Sequence, residues 1–179
     1  MPLILEILLK TTGFLLLLRF MVELARADFY SPWTQGIVKL TDILCRGLRR
    51  FLPATSRFDT SSVLVAWAVY TGLTFIELGA RGVGVPVAFL PAIALIRLVD
   101  TTLFLYWLAI LVVAIMSWID PARNFPVTRF AGEVAQPLLE PARRLLPPFG
   151  VVDLSPIVVF LALFAVRTYV VPPLQNLFF

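Results

Sequence analysis

The sequence predicts an all-α, polytopic membrane protein with four transmembrane helices in two parallel repeats, each with an amphipathic interfacial helix between its two spans. Three observations predict this fold class: an excess of apolar residues, four long apolar stretches, and a pattern that recurs at a constant separation. Of the 179 residues, 60% are hydrophobic and 15% are charged, whereas soluble domains have about 45–50% and about 25%. A chain of this size cannot bury that much apolar surface in its own core, so lipid must cover part of it.

The spans are predicted from length and hydropathy, because a helix crosses a bilayer with roughly 20 mostly apolar residues. Four stretches meet this requirement: residues 3–24, 62–78, 86–119, and 156–171, the last ending before Pro172 and Pro173. The third stretch is too long for one straight crossing, and we expect it to divide near Arg97 and Asp100. Residues 85–95 then form a re-entrant or interfacial piece, and the span itself lies near 99–119. If residues 85–95 are instead part of the third span, Pro91 would kink the continuous helix.

A segment of another kind, residues 32–52, lies between the first two spans. Its large apolar residues recur in steps of three and four, as at Trp33, Ile37 and Leu40, with Lys39 and Arg46 among the residues between them. This spacing predicts an amphipathic helix, and its basic polar face suits the lipid headgroup region. Packing of the same helix on the spans is an equally good interpretation.

The pattern of the first half recurs in the second half without a gap. The matching pairs, each 94 residues apart, are Pro32 and Pro126, Leu44 and Leu138, Arg49-Arg50 and Arg143-Arg144, Pro53 and Pro147, Asp59 and Asp153, and Ser61 and Ser155. We therefore predict two units, residues 1–84 and 85–179. Because each unit contributes two spans, the second begins on the same side of the membrane as the first, and the repeats are parallel.

The distribution of basic residues predicts the orientation. Ten of the fifteen lie in the two connectors that contain the repeated motif, and the turn between spans two and three holds only Arg81. Since basic loops stay in the cytoplasm, we expect both connectors on the cytoplasmic side of the membrane and both termini on the opposite side.

The second unit carries a distinctive string of residues. Ser117-Trp118-Ile119 is followed by PLLEPARRLLPPFG at residues 137–150 and by Asp153-Leu154-Ser155-Pro156. This string resembles the YggT family of bacterial inner-membrane proteins and its YlmG-like relatives, and the resemblance extends over the whole chain. The first unit is a decayed copy, with Ala54, Thr55 and Ser56 in place of Pro-Phe-Gly.

The resemblance implies a four-span protein of the cytoplasmic membrane with a role in osmotic stress and ion homeostasis. The YlmG-like relatives are linked to cell division, nucleoid organisation and plastid cytochrome assembly. It supplies no catalytic residue. The residues agree with a non-enzymatic function, because the chain has no histidine and one cysteine. We expect no cofactor, no metal and no nucleic-acid partner.

The repeated motif has two interpretations. In one, Asp59, Ser61, Asp153 and Ser155 brace the loops and cap the spans that follow. In the other, basic doublets bind anionic lipid headgroups, each basic residue contributing about 1 kcal/mol; the doublets are Arg49-Arg50 and Arg143-Arg144. Both can hold together, and a third option is an ion pair, Arg49–Asp59 or Arg143–Asp153, that folds the connector back on itself.

Ionisable residues within the spans are a second candidate site, because charges in lipid are costly and often functional. The candidates are Glu6, Arg19, Glu23, Arg97 and Asp100, and Glu77 and Arg167 complete the set of ionisable residues in the spans. Arg19 and Glu23 are one helical turn apart, so their side chains can form an ion pair on one face of a helix.

The favoured function is the organisation of anionic lipid or membrane-protein partners at the cytoplasmic face. The alternative is an ion channel or transporter subunit that acts as a homo-oligomer.

Overall fold

The computed structural model describes residues 2–49, 60–82, 84, 86–120, 122, 124–145 and 155–178. Within these ranges every regular element is helical, which confirms the all-α prediction. The helices are α1 (Pro2–Leu24), α2 (Pro32–Arg49), α3 (Thr60–Ala80), α4 (Leu90–Ile119), α5 (Pro126–Leu145), α6 (Ser155–Ala165) and α7 (Val171–Asn176). A 3₁₀ turn, Val87–Phe89, precedes α4, and a π-helical turn, Val166–Val170, joins α6 to α7.

Three helical stretches of the described chain are long and apolar enough to cross a membrane. They are Thr60–Ala80, Val87–Ile119 and Ser155–Asn176, which correspond to the second, third and fourth predicted spans. α1 covers the first predicted span and is 23 residues long. Its apolar sequence is interrupted by Glu6, Lys10, Arg19 and Glu23, so its suitability as a span depends on how those charges are paired.

The buried core lies where α1, α3 and α4 meet, with α6 packed against α4. Gly13 of α1 allows close packing against α3, since a Cβ atom at this position would lie 2.7 Å from Cε2 of Tyr70. Small residues have this role between membrane helices, where dispersion contacts replace the hydrophobic effect. The outer faces carry exposed large apolar side chains, among them Phe75 of α3, Leu95 of α4 and Phe164 of α6, as expected of surfaces that lipid covers.

The predicted division of the third stretch is wrong. α4 runs unbroken from Leu90 through Arg97 and Asp100, and only the short 3₁₀ turn before it is separate. Pro91 does not kink the helix because it lies in the first turn, where its missing N–H group has no helical acceptor to lose.

The predicted end of the fourth span is also wrong, because the helix continues past Pro172 and Pro173 to Asn176. The π-helical turn Val166–Val170 explains how. Its wider turn restarts the hydrogen-bond pattern, so both prolines lie in the first turn of α7, where proline is tolerated.

α2 and α5 each pack one face against the helices that precede and follow them in the chain. The buried residues of these faces, in the described part of each helix, are Thr34, Ile37, Thr41 and Cys45 in α2, and Thr128, Ala131, Val134, Ala135 and Leu139 in α5. Exposed side chains of α2 include both the basic Lys39 and the apolar Leu40. Both helices are thus attached to the bundle and keep a second, exposed surface.

Candidate functional site

Among the described residues, three clusters of charged side chains join different helical segments, and the first surrounds Arg19 of α1. Only 2% of the Arg19 side chain is exposed. Its Nε donates to Oε1 of Glu23 at 3.0 Å, and its Nη1 donates to Oγ1 of Thr41 at 3.1 Å and to the carbonyl of Val38 at 3.3 Å. The pairing of Arg19 with Glu23 along α1 is therefore present. Arg19 does not extend along the helix surface towards water, because its guanidinium group lies between α1 and α2.

Asp42 connects this buried arginine to the exposed face of α2. Its Oδ1 lies 3.8 Å from Nη1 of Arg19, and its Oδ2 accepts from Nη2 of Arg46 at 3.1 Å. A buried cation is strongly destabilising unless several polar groups compensate it. Arg19 has such partners on both its own helix and α2, and so it fixes α2 against α1.

The second cluster joins α1, α3 and α4 around Glu77, whose side chain is 9% exposed. Nζ of Lys10 lies 3.0 Å from Oε1 of Glu77 and 2.5 Å from Oε1 of Glu6. Nη1 of Arg97 donates to Oε2 of Glu77. Two cations and two carboxylates therefore form a neutral group at the N-terminal part of α1, which is how ionisable side chains are tolerated within a membrane.

The third cluster is the pair formed by Asp100 of α4 and Arg167 of the π-helical turn. Nε of Arg167 donates to Oδ1 of Asp100 at 2.8 Å, and the guanidinium carbon lies 4.9 Å from the centre of the Phe104 ring. This position gives a cation–π contact. Both charged residues line a cleft of about 370 Å³, together with Thr168 and Gln175 among others. π-helical turns occur often at functional sites, so this cleft is a candidate for polar ligands or ions.

The partners of these charges were only partly predicted. The sequence identified Glu6, Arg97 and Asp100, and also Glu77 and Arg167, as ionisable residues of the spans, but it did not predict that Arg97 pairs with Glu77 or Asp100 with Arg167, or that Lys10 pairs with Glu6. Lys10 could have been found from its spacing of four residues from Glu6. Cross-helix partners such as Glu77 have no local signal, since they are defined by packing.

Asp120 is a further polar residue that sequence reasoning missed. It follows α4, is buried, and accepts hydrogen bonds from the backbone N–H groups of Asn124 and Phe125, both at 2.8 Å. Burial raises the pKa of the Asp120 carboxyl, but the two N–H donors and the charge of Arg129 outweigh this effect, so its pKa lies below the usual value. Asp120 thus fixes the connector that leads from α4 into α5.

The basic doublet of the second unit lies in the last turn of α5, where cations complement the helix dipole. Arg143 and Arg144 are exposed, and Nη2 of Arg144 lies 2.6 Å from Oε1 of Glu140. Leu145 beside them is exposed. Trp118, in the last turn of α4, is 90% exposed.

Several predicted motif residues fall outside the described part of the chain. Arg50, Asp59 and Asp153 lie there, and so does the side chain of Arg49, although its backbone ends α2. Ser61 and Ser155 lie in the first turns of α3 and α6, and both are buried. Their capping role stays a prediction.

An all-helical fold with membrane-length apolar helices and charged side chains paired between them defines the class of polytopic helical membrane proteins. The chain belongs to the CCB3/YggT family, whose sequence model matches residues 2–78 and 92–174. It is 40% identical over 164 residues to the uncharacterized protein YggT of Escherichia coli (strain K12), which covers 89% of this chain and 83% of that protein. It is 36% identical over 162 residues to the uncharacterized protein PA0392 of Pseudomonas aeruginosa, covering 87% and 82%. No solved structure matches this chain.

Proposed function

We propose that the chain is a non-enzymatic, four-span protein of the bacterial inner membrane that organises anionic lipid or partner proteins at the cytoplasmic face, and in this way supports envelope or osmotic and ion homeostasis. Its connectors are cytoplasmic and its termini periplasmic. The two units each place one basic helix, α2 or α5, at the membrane surface.

The duplicated architecture is supported by the burial of these helices. Within the part of α2 whose side chains are described, all four buried residues are 94 residues from a buried residue of α5: Thr34 and Thr128, Ile37 and Ala131, Thr41 and Ala135, Cys45 and Leu139. Val134 of α5 is also buried, whereas its counterpart Leu40 is exposed. The two separate matches of the family model, at residues 2–78 and 92–174, also support it.

The assignment of α1 as a span is supported by the pairing of its charges. Lys10 contacts two carboxylates, and Arg19 contacts Glu23 and two groups of α2. A paired charge is much less costly in lipid than an isolated one, so 23 residues of helix are sufficient for a crossing.

The observation that carries the lipid-organising function is the composition of the exposed surface at the two ends of α5. Arg143 and Arg144 lie beside exposed Leu145 at its C-terminal end, and exposed Phe125 lies just before its first residue, in the connector from the last turn of α4, where Trp118 is exposed. Basic side chains mixed with aromatic and aliphatic ones are typical of surfaces at the lipid headgroup level. Each basic residue there contributes about 1 kcal/mol to the attraction of anionic lipid.

The test is lipid selectivity of the full chain. The purified protein is equilibrated with equal amounts of phosphatidylglycerol and phosphatidylcholine, and the lipid retained per chain is measured by mass spectrometry. We expect enrichment of phosphatidylglycerol that falls severalfold when Arg143 and Arg144 are both changed to Glu. Arg81→Glu, on the exposed α3–α4 turn, is the matched control and should keep the enrichment. Equal enrichment in all three proteins would reject the proposal.

The alternative function, an ion channel or transporter subunit acting as an oligomer, is favoured by one observation, the cleft lined by Asp100 and Arg167. An ion that used this cleft would compete with their ion pair. Cation flux into proteoliposomes should then exist and should change on Asp100→Asn. Absence of flux in any oligomeric state would exclude this function.

A further inference from the structure

A groove of about 520 Å³ lies between α1, α2, α4 and α5, apart from the three charged clusters. All sixteen residues that line it are of apolar types. The indole N–H of Trp33 is the one polar side-chain group among them, so the groove offers almost no hydrogen bond to a ligand or to water. Apolar cavities of this kind do not hold ordered water.

The lining of the groove follows the internal repeat. Fourteen of the sixteen lining residues form seven pairs that are 94 residues apart in the sequence. The groove therefore lies at the approximate symmetry axis between the two units, and in parallel repeats such an axis runs along the membrane normal.

The two units differ in the size of several of the paired residues that line the groove. The pairs Leu15 and Ala109, Gly36 and Phe130, and Ile37 and Ala131 each combine one large and one small side chain. At Gly36 an added Cβ atom would meet no other atom within 4 Å. The first unit thus leaves open a space that the second unit fills with a phenyl ring.

We infer that this groove binds an acyl chain of a membrane lipid. A polar ligand would lose its hydrogen bonds on entering. The opening is itself apolar, since Trp33 and Leu40 line the groove and are 52% and 64% exposed. In a bilayer, the molecules that meet such an opening are acyl chains.

This inference rests on the membrane-spanning architecture of the proposed function but not on its charge selectivity. The test therefore uses zwitterionic phosphatidylcholine, which is added to the delipidated full chain in non-ionic detergent. Native mass spectrometry then counts the lipids that stay bound. We expect a one-to-one complex that persists when the detergent removes loosely associated lipid.

Gly36→Phe places in the first unit the residue that the second unit has at position 130, and it should reduce the complex at least about tenfold. Gly72→Phe is the matched control, because an added Cβ atom there also meets nothing within 4 Å and Gly72 does not line the groove. It should keep the complex. If Gly36→Phe does not fold, Gly36→Leu replaces it.

Equal retention of lipid by the Gly36 variant and the unchanged protein would overturn the inference. So would a folded, unchanged protein that retains no lipid, or a dimer that the Gly36 variant abolishes. A protein that binds phosphatidylcholine in the groove but shows no preference for phosphatidylglycerol would support the inference and reject the proposed lipid-organising function.

Discussion

The Nη1 atom of Arg19 and the Oγ1 atom of Thr41 lie 3.1 Å apart, so that a buried arginine of α1 donates directly to a buried hydroxyl of α2. Hydrogen bonds of charged groups contribute about 1.5–3 kcal/mol each. This contact, with those of Arg19 to Val38 and Glu23, makes the position of α2 depend on one side chain.

Arg19→Met should therefore loosen α2. Cys45, the one cysteine of the chain, is fully buried on the attached face of α2 and reports this change. We expect its thiol to react with a maleimide roughly ten times faster or more in the variant, since loss of about 2 kcal/mol allows more frequent opening. Arg46→Met, which removes an exposed ion pair of the same helix, is the control. An unchanged labelling rate in Arg19→Met would contradict this account.

Glu77→Gln should destabilise the helical bundle more than the substitution of an exposed carboxylate does. The variant leaves Lys10 and Arg97 near each other without their shared anion, and breaking a buried ion pair costs about 3–5 kcal/mol. Glu140→Gln removes an exposed pair with Arg144 and should cost less than about 1 kcal/mol. Thermal unfolding in detergent, followed by circular dichroism, compares the two. Similar melting temperatures would show that the Glu77 contacts are not stabilising.

Asp100 and Arg167 should depend on each other. Asp100→Asn and Arg167→Gln each leave one charge without its partner, so each variant should lower the melting temperature, and the double variant should lose less than the sum of the two. The expected coupling is about 1–2 kcal/mol. Additive losses in the double-mutant cycle would mean that the pair does not stabilise the contact between α4 and the π-helical turn.

Asp120 should make stability depend on pH in the acidic range. Its pKa is lower in the folded chain than in the unfolded chain, so its stabilising effect is complete above the unfolded value of about 3.9 and is lost as the pH falls through the folded value. Asp120→Asn should therefore lower the melting temperature near neutral pH, and the difference from the unchanged protein should narrow below about pH 4. A melting-temperature difference between the two proteins that does not change with pH would show that ionisation of the Asp120 carboxyl does not contribute to stability.

The proposed topology is tested by cysteine accessibility. In a Cys45→Ser background, Arg46→Cys and Arg143→Cys should both react with an impermeant maleimide only from the cytoplasmic side. Arg81→Cys should react from the periplasmic side. Labelling of positions 46 and 143 from opposite sides would refute the parallel repeats.

The sequence predicted local features well and tertiary features poorly. The helices follow from apolar runs, and the Arg19–Glu23 contact follows from its spacing, because both depend on neighbours within one helix. The division near Arg97 was wrong because a proline in the first turn of a helix looks the same in sequence as one that breaks it. The contact between Glu77 and Lys10 could not be predicted, because the two residues are 67 positions apart and only the packing of α1 against α3 brings them together.

The π-helical turn Val166–Val170 also limits how far the two repeats can be compared by a constant difference in residue number. One additional residue within a turn rotates everything after it by about 100°. α3 has no such turn over the matching stretch, since it is α-helical throughout. Beyond residue 170, equal numbering in the two halves no longer means an equal direction of the side chain, and an alignment of the halves carried to the end of the chain would compare residues on different faces.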